Sequence, residues 1–453
     1  MVDVVFDLIA KEQQRQEDEI CLIASENYMS KNVMKACGTV LMNKYSEGYP
    51  GKRYYGGCKI IDEIEQVAID RACKLFECKY ANVQSNSGCQ ANQAVYMSVC
   101  KPGDTILAMG VNEGGHISHS LSIGFAGTFY NVIEYGLTAD GFLNYDEIKE
   151  KLEKHHPRLL IVGGSAYPRE IDFKKIREII DEYNKDKPLT IHEEKVDIES
   201  RSIYNWDVTY EKCLVMVDMA HIAGLVAAKE HMSPFPYADV VTSTVQKTLR
   251  SGRGGLILTN NDSLIKKINS AVFPRLQGGP LNNMIAGKAV GFGEALKPDF
   301  KKYIKQVKDN IKAMEKVFKE NDIDMVSGGS DNHLILLDLR KYNLSGKQVE
   351  EELEKYGIIV NKNAVKDDPR PKTETSGIRL GTAAITTRGA GETSCSSLAK
   401  IISDIILCLA GVIKVTENEQ DDWFIFVRDW CKMHPIYGRI TTSVEDNEPT
   451  LPF

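Results

Sequence analysis

Short apolar runs alternate with longer stretches of helical periodicity along much of the chain. Residues 105–109, 159–162 and 213–217 are apolar, and each run is followed by small or polar residues and then by a helical pattern. Strands that are joined by helical crossovers lie parallel to one another. The repetition therefore predicts an α/β domain built on a largely parallel sheet.

A turn between two helical patterns is the first candidate binding element. Residues 62–76 have helical spacing, residues 85–88 read Ser-Asn-Ser-Gly, and a second helix is predicted to begin near Ala91. Hydroxyls and free amides at the start of a helix bind phosphate, so Ser87 and Gly88 are candidate phosphate ligands. Taken alone the turn is a weak indication, because Ser-Gly turns are common in loops.

The pattern changes after Pro280. A long charged helical stretch is followed by apolar runs at 333–339, 358–361 and 378–382, which predicts a smaller α+β domain. Because 453 residues exceed what one hydrophobic core usually supports, we expect an N-terminal arm at 1–45, a large domain at 46–280 and a small domain at 281–453. Residues 185–212 fit neither pattern and are expected to form a surface insertion in the large domain.

Composition limits the partners and the compartment. The net charge of -7 argues against a general nucleic-acid-binding protein, which needs an excess of basic residues on one face. Eleven cysteines without a CxxC pair or a Cys/His cluster predict reduced thiols in the cytoplasm and no metal site. Residues 1–17 lack a secretory signal, and the apolar stretch 401–412 is too short to span a bilayer. We therefore expect residues 401–412 to form a buried helix, and we expect no membrane association.

Parallel sheets bind ligands at the carboxyl ends of their strands, so the residues just after each apolar run are candidates for the site. These residues are Gly115, His116, Ser165, Asp218 and His221. A carboxylate such as Asp218 can pair with a protonated pyridine nitrogen. The alternative role for Asp218 is that of a helix N-cap, which is common in strand-to-helix loops.

Lys247 lies in the most informative segment, residues 242–255, which read TSTVQKTLRSGRGG. A lysine among small hydroxylated residues and glycines suits an amine that forms a Schiff base in a tight pocket. An isolated lysine is more often a solvated surface charge, so the segment alone leaves both interpretations open. The chain order of phosphate turn, Asp218 and Lys247 matches the anchors of a pyridoxal 5'-phosphate site, and this favours the cofactor.

Further motifs occur in a fixed order along nearly the whole chain. They are 22–27 LIASEN, 43–50 NKYSEGYP, 52–57 KRYYGG, 114–116 GGH, 217–224 VDMAHIAG, the Lys247 segment, 277–280 QGGP, 331–334 DNHL and 376–382 SGIRLGT. With these motifs the chain resembles serine hydroxymethyltransferase, a fold-type I pyridoxal phosphate enzyme. The resemblance implies a mixed, mostly parallel seven-stranded sheet flanked by helices, together with a smaller α+β C-terminal domain.

The resemblance also implies roles for residues around the cofactor. Lys247 would carry it covalently, Asp218 would pair with its ring nitrogen, and His116 would stack on its ring. Ser165 and His221 would hold its phenolic oxygen. The other cofactor-binding residues that the resemblance implies are Ser87, Gly88, Cys89, Thr244, Gln246, Gly278 and Gly279.

The same resemblance implies a substrate site and a folate site. Arg379 would clamp the substrate carboxylate, for which a planar guanidinium is well suited. Glu47 is the candidate for proton transfer, with a structural hydrogen bond in an aromatic arm as the alternative. The other substrate residues implied are Ser25, Tyr45, Tyr55 and Arg253, and the folate residues are Glu47, Tyr54, Val111, Gly115, Ile117 and Asn363.

In the family, the segment with Tyr45, Glu47 and Tyr55 and the Gly278-Gly279 turn reach into the neighbouring subunit's site. The resemblance therefore implies a homodimer as the smallest functional unit and leaves dimer and tetramer open. The implied reaction is the reversible transfer of the hydroxymethyl group of L-serine to tetrahydrofolate, which gives glycine and 5,10-methylenetetrahydrofolate.

Some positions depart from the family pattern. Gln246 replaces the usual histidine and Val245 the usual threonine, and both are expected to touch the cofactor end of the pocket. Lys372 and Thr373 stand where the family has Pro-Phe, which removes an aromatic platform for the folate.

These departures leave two alternatives open. One is a relative that uses folate weakly, such as an α-methylserine hydroxymethyltransferase or an enzyme with threonine-aldolase-like activity. The other is a degenerate paralogue that serves as a binding subunit. The retained Lys247, Asp218, His116 and Arg379 argue against the second alternative, because a paralogue without activity would be free to lose them.

Overall fold

The structure, a computed structural model, describes residues 3–185, 187 and 212–437. The predicted insertion at 185–212 lies almost wholly outside the described residues. The strands are β1 Ile20–Cys21, β2 Gly48–Tyr49, β3 Lys52–Arg53, β4 Tyr80–Asn82, β5 Thr105–Met109, β6 Asn131–Tyr135, β7 Leu159–Val162, β8 Leu214–Asp218, β9 Val240–Thr244, β10 Gly255–Thr259, β11 Asp324–Met325, β12 Leu334–Asp338, β13 Ile358–Ile359, β14 Asn361–Asn363 and β15 Gly377–Gly381.

Helices account for most of the remaining described chain. They are α1 Val4–Asp18, α2 Lys31–Cys37, α3 Lys59–Phe76, α4 Gly88–Val99, α5 Ile117–Ser120, α6 Phe125–Phe129, α7 Tyr145–His155, α8 Phe173–Asn184, α9 Ala223–Ala228, α10 Asp262–Ser270, α11 Asn282–Ala295, α12 Pro298–Glu320, α13 Gly346–Lys355, α14 Ala383–Thr387, α15 Glu392–Leu409 and α16 Glu417–Met433.

The larger sheet has seven strands in the order β4-β10-β9-β8-β7-β5-β6. The five strands from β9 to β6 are mutually parallel, whereas β10 runs antiparallel to both of its neighbours, β9 and β4. This confirms the largely parallel sheet that the pattern predicted and the mixed seven-stranded sheet that the family resemblance implied. Two hydrophobic clusters cover this sheet, and all four residues of β7, a central strand, are apolar and buried.

A second sheet of four strands, in the order β11-β12-β15-β14, is antiparallel throughout. Residues of α12, α13, α15 and α16 pack on it in a separate hydrophobic core. The sequence predicted one strand at 358–361, but the structure has two. The first, β13, pairs with β1 and the second, β14, pairs with β15, so the chain changes partner at Val360.

The start of the chain joins this second core. Strand β1 pairs in parallel with β13, with Ile20 opposite Ile358, and Leu22 is fully buried in the same cluster. Residues 401–409 of the stretch predicted as a buried helix form the second half of α15, where Ile402, Ile405 and Ile406 face the core. Residues 410–412 lie beyond the end of this helix, and Val412 is exposed. None of the helices within the described ranges is long and apolar enough to cross a membrane.

Candidate active site

A cavity of about 610 Å³ opens at the carboxyl ends of β5, β7 and β8. Parallel strands present the loops that follow them at one edge of the sheet, so side chains from distant parts of the sequence meet there. The five residues that the sequence placed after strand ends all line it: Gly115, His116, Ser165, Asp218 and His221.

Lys247 follows β9 and points into this cavity, with only 7% of its surface exposed. The interpretation of Lys247 as a solvated surface charge is therefore wrong. Burial lowers the pKa of its amine to about 8, and the nearby Arg379 lowers it as well, while Asp218 opposes the shift. An amine with such a pKa is partly neutral near physiological pH and can act as a nucleophile.

Asp218 ends β8 at the floor of the cavity. Its Oδ2 lies 2.9 Å from His119 Nε2 and accepts a hydrogen bond from Asn92 Nδ2 over 2.9 Å. Burial would raise the pKa of Asp218, but these hydrogen bonds and the neighbouring histidines hold it well below its usual range. The N-cap alternative is wrong, because Ile222 is the N-cap residue of α9. Asp218 is a buried anion with its Oδ1 bonded to the backbone N of Ala220.

His116 is the N-cap residue of α5 and lines the cavity together with Asp218. Its Nδ1 accepts a hydrogen bond from the backbone N of Ser118 over 3.2 Å, so this nitrogen carries no proton. Burial lowers the pKa of His116 to about 4, which keeps the ring neutral at physiological pH. A neutral ring that is fixed by its own helix cap is suited to stack on a flat ligand.

Helix α4 begins at Gly88, three residues earlier than the sequence predicted. Ser87 caps it by accepting from the backbone N of Gln90 over 3.1 Å, so the helix starts directly after the turn. A methyl group added to Gly88 would lie 2.6 Å from Thr244 Cγ2, so no larger residue fits here. Ser87, Gly88 and Cys89 at this helix start and Thr244 at the end of β9 all line the cavity, and a helix start is suited to bind an anion such as phosphate.

Arg379 comes from the middle of β15 and is 8% exposed. Its Nη1 donates to the backbone O of Ser165 over 2.7 Å, and its Nε donates to Asn361 Oδ1 over 3.1 Å. Burial lowers the pKa of Arg379 to about 10, so it stays charged at physiological pH. These two contacts orient the guanidinium in the cavity wall, where it can bind a carboxylate.

Comparison with known proteins identifies the family of this chain. A family model described as serine hydroxymethyltransferase matches residues 2–186 and 207–402. The chain belongs to the serine hydroxymethyltransferase family.

Individual relatives agree with that assignment. The chain is 48% identical to the serine hydroxymethyltransferase of Orientia tsutsugamushi (strain Ikeda), over 92% of each protein. It is 46% identical to the serine hydroxymethyltransferase of Paramagnetospirillum magneticum, over 96% of this chain and 95% of that protein. It is also 48% identical to serine hydroxymethyltransferase 2 of Rhodospirillum rubrum, over 95% of this chain and 94% of that protein.

Enzymes of the serine hydroxymethyltransferase family use pyridoxal 5'-phosphate and take tetrahydrofolate as cosubstrate. The cavity fits the cofactor on a direct observation. The hydroxyl of Thr244 is buried beside the start of α4 and has no hydrogen-bond partner among the described residues, which a phosphate oxygen would supply. No three His, Cys, Asp or Glu side chains are grouped as metal ligands in the part of the chain that the structure describes.

The two departures beside Lys247 differ in their surroundings. Gln246 lines the cavity, and its Oε1 accepts from the backbone N of Gly254 over 3.4 Å, which leaves its amide donors for the cavity. Val245 is fully buried in the core of the large sheet and is absent from the cavity wall. The prediction that Val245 touches the cofactor end of the pocket is wrong, because the bend that follows β9 directs its side chain into the core of the large sheet.

Six residues that the serine hydroxymethyltransferase resemblance assigned to the site do not line this cavity: Tyr45, Glu47, Tyr54, Tyr55, Gly278 and Gly279. Most of them form a separate group. A methyl group added to Gly278 would lie 3.1 Å from Glu47 Oε1, one added to Gly279 would lie 3.0 Å from Tyr45 Cε1, and the rings of Tyr45 and Tyr55 are 5.4 Å apart. The three tyrosines are exposed in this chain.

The remaining predicted residues line the cavity: Ser25, Cys89, Val111, Ile117, Arg253 and Asn363. On the folate side Lys372 also lines the cavity, whereas Thr373 is exposed and does not. Lys372, at the first of the two departing positions, therefore presents its charged side chain to the cavity, and Thr373 at the second contributes nothing to the cavity wall.

Sequence reasoning missed residues that hold the site in place. His119 and Asn92 both bond Asp218, and Lys288 Nζ donates to the backbone O atoms of Val83, Ser85 and Gly255 over 2.6, 2.9 and 2.9 Å. Periodicity gave a partial signal, since Asn92 lies one helical turn after Gly88 on the same face of α4. The sequence around Lys288 gives no sign of its role, because its burial depends on how α11 packs in the folded protein.

Proposed function

We propose that this chain catalyses the reversible transfer of the hydroxymethyl group of L-serine to tetrahydrofolate, with glycine and 5,10-methylenetetrahydrofolate as products. The observation that carries the proposal is the convergence of Lys247, Asp218, His116 and Arg379 on one cavity, in a chain of the serine hydroxymethyltransferase family. When bound, pyridoxal 5'-phosphate supplies an electron sink for the amino acid's α-carbon.

The roles of the cofactor-binding residues follow from their environments. Lys247, with its pKa lowered to about 8, has a partly neutral amine that can attach the cofactor covalently. Asp218 is a buried anion and is suited to keep the cofactor's ring nitrogen protonated. The neutral His116 would stack on the ring. The phosphate would be held by Ser87, Gly88, Cys89, Thr244 and Gln246, and the ring oxygen by Ser165 and His221, all of which line the cavity.

The substrate carboxylate binds to Arg379, whose guanidinium is already oriented by Ser165 and Asn361. A clamp that is fixed before the substrate arrives pays less ordering entropy on binding, and it sets which bond of the substrate faces the cofactor. Ser25 and Arg253 line the same cavity and complete this subsite. Folate binds above it, beside Val111, Gly115, Ile117 and Asn363.

The group formed by Tyr45, Glu47, Tyr55 and the Gly278-Gly279 turn serves the site of a second copy of the chain. Its absence from this chain's own cavity and the exposure of its tyrosines support that arrangement. In the neighbouring site Glu47 transfers a proton to or from the substrate hydroxyl, and Tyr54 contacts the folate. The smallest functional unit is then a homodimer.

The enzyme acts in the cytoplasm. All eleven cysteines are free thiols, which is typical of proteins from a reducing compartment.

The activity test uses purified protein with added pyridoxal 5'-phosphate, L-serine and tetrahydrofolate, and it measures formation of glycine and methylenetetrahydrofolate. The expected result is turnover that requires both cofactor and folate and is lost in Lys247→Ala and Arg379→Ala. A protein that cleaves 3-hydroxy amino acids at the same rate with and without folate would contradict the proposed transfer. A protein that binds no cofactor would contradict any reaction of this class.

The dimer test mixes two inactive variants in one cell. Lys247→Ala damages the cavity of the chain that carries it, whereas Glu47→Gln damages the cavity of the partner chain, which Glu47 is proposed to enter. In a mixed dimer one site carries both defects and the other carries neither, so random pairing should restore about a quarter of wild-type activity. If mixing restores no activity, each site is built from a single chain.

A further inference from the structure

His221 and His333 form a buried pair between the two sheets. Nδ1 of His221 lies 3.3 Å from Nε2 of His333, and their rings are stacked with centroids 5.5 Å apart. Only 5% of His221 and none of His333 is exposed. His221 follows β8 of the large sheet, whereas His333 directly precedes β12 of the small sheet.

A nitrogen–nitrogen contact of this kind requires one shared proton. If both nitrogens carried a proton, the two donors would repel, and if neither did, two lone pairs would face each other. Burial lowers the pKa of His333 to about 3 and that of His221 well below its usual value, with Lys247 and Arg379 adding to both shifts. Both rings are therefore neutral, and the tautomer of one ring fixes the tautomer of the other.

The backbone on each side of the pair is anchored. The hydroxyl of Thr248, next to Lys247, donates to the backbone O of His221 over 2.9 Å. On the other side the backbone N of Thr382 donates to the backbone O of His333 over 3.1 Å, and Asn332 Nδ2 donates to the backbone O of Tyr167 over 3.0 Å. These contacts hold the backbone from which each ring extends.

The small sheet makes a second contact with a residue that follows a strand of the large sheet. Arg379, on β15, donates to the backbone O of Ser165 over 2.7 Å, and β15 pairs with β12. Ser165 and His221 are the two residues proposed to face the cofactor's ring oxygen. Two adjacent parts of the small sheet therefore contact the two residues proposed to face the cofactor's ring oxygen. Arg379 on β15 contacts Ser165, and His333, directly before β12, contacts His221.

We propose that His333 is a positioning residue, which holds His221 in one orientation and one tautomer at the edge of the cofactor ring and ties that state to the position of the small sheet. His333 does not line the cavity, so it acts through His221 alone. The effect on turnover rests on the proposed function, but the tautomer of His221 in the cofactor-free protein does not.

The test compares His333→Gln with His333→Asn. A glutamine amide reaches the position of Nε2 and can keep the contact with His221, whereas an asparagine amide stops near the position of Nδ1 and cannot. Both substitutions place a carboxamide in the same buried site, so they are matched for buried polarity and differ by one methylene group. His231→Gln, at another buried histidine that lies outside the main cavity, is the control for losing a histidine.

The first measurement is nitrogen NMR of histidine-labelled, cofactor-free protein, which distinguishes the two neutral tautomers. We expect one tautomer of His221 in the wild type, in His333→Gln and in His231→Gln, and a mixture in His333→Asn. Equal spectra for the Gln and Asn variants would overturn the proposal. This result does not depend on whether the enzyme transfers a hydroxymethyl group.

The second measurement uses the loaded protein. In His333→Asn the midpoint of the pH titration of the cofactor's visible absorption should shift, and kcat should fall roughly tenfold while KM for serine stays within about twofold, because Arg379 is untouched. His333→Gln should recover both values. Equal loss of kcat in the two variants with no shift of the titration would mean that His333 only fills space, and would overturn the proposal. If the wild type itself has no transferase activity, the proposed function fails while the NMR result stands.

Discussion

His119 Nε2 lies 2.9 Å from Asp218 Oδ2 and so holds the buried carboxylate that is proposed to face the cofactor nitrogen. A hydrogen bond to a charged acceptor contributes more than a neutral one, about 1.5–3 kcal/mol. In His119→Phe the pKa of Asp218 should therefore rise, and the cofactor should bind roughly 10- to 100-fold more weakly. Titration of cofactor-free protein with pyridoxal 5'-phosphate measures this change. Unchanged affinity would mean that Asn92 alone suffices to hold Asp218.

The stability of the cofactor-free protein should depend on pH through Lys247. Burial lowers the pKa of this amine from 10.5 to about 8, so below pH 8 both the folded and the unfolded chain carry the charge and the full cost of burying it is present. Between about pH 8 and 10.5 only the unfolded chain binds the proton, and stability rises with pH.

Lys247→Met removes this dependence. We expect the variant to be more stable than the wild type by ~3 kcal/mol at pH 7 and the difference to vanish by about pH 10.5. Urea unfolding of the cofactor-free proteins across this range measures it. Lys301→Met, at an exposed lysine of α12, is the control and should show no such trend. A constant difference at all pH values would show that the charge of Lys247 carries no burial cost.

Lys288 should matter for both stability and cofactor binding. Its three backbone acceptors lie in the segments that lead into the phosphate turn and into β10, and Lys288→Met removes a buried donor from all three. The backbone O of Ser85 keeps the hydrogen bond from the backbone N of Gly255. We expect a loss of about 2 kcal/mol or more, since one unsatisfied buried group costs about 1–3 kcal/mol. We also expect weaker cofactor binding, because the turn loses its anchor.

A stability control separates these two effects. Leu353→Ala, in the core of the small sheet, should lose about 2–5 kcal/mol without touching the phosphate turn. Cofactor affinity measured under native conditions should fall in Lys288→Met and stay unchanged in Leu353→Ala. A parallel loss in both variants would show that affinity simply follows stability.

Thr373→Phe should improve folate binding. Thr373 is exposed beside Lys372, which lines the cavity, so an aromatic ring at 373 can fold over the folate side. An aromatic stack contributes about 0.5–1.5 kcal/mol, which predicts a KM for tetrahydrofolate roughly 2- to 10-fold lower. Steady-state kinetics with varied folate measure this value. The control is Glu374→Phe, one residue further on; an equal improvement there would mean that added apolar surface, not the position of the ring, is responsible.

The sequence predicted the large sheet and the strand ends well because their signals are local. Runs such as residues 105–109 and 159–162 coincide with β5 and β7, and the polar residues after them line the cavity. A strand of a parallel sheet that is covered on both faces is read in the sequence as a short apolar run. All parallel strands end at the same edge of the sheet, so the residue after each run is predicted to lie at that edge.

The prediction was poorer wherever a residue's environment depends on distant chain. Asp218 bonds Asn92, 126 residues earlier, and His221 meets His333, 112 residues later, and neither pairing leaves a periodic trace. Val245 was assigned to the cavity because it precedes Lys247 by two positions, whereas the turn directs it into the core. Local pattern predicts which edge of the sheet a residue occupies, but not which neighbours it meets there.

The pairing of β1 with β13 has a consequence for how the chain is made. Ile20 leaves the ribosome early, yet its partner Ile358 is added 338 residues later. At roughly 5–20 residues per second that interval is on the order of 20–70 s, during which Ile20 and Leu22 have no core to enter. The pairing of β1 with β13 can form only after Ile358 has been added, and so Ile20 and Leu22 reach their final place after all seven strands of the large sheet have been synthesised.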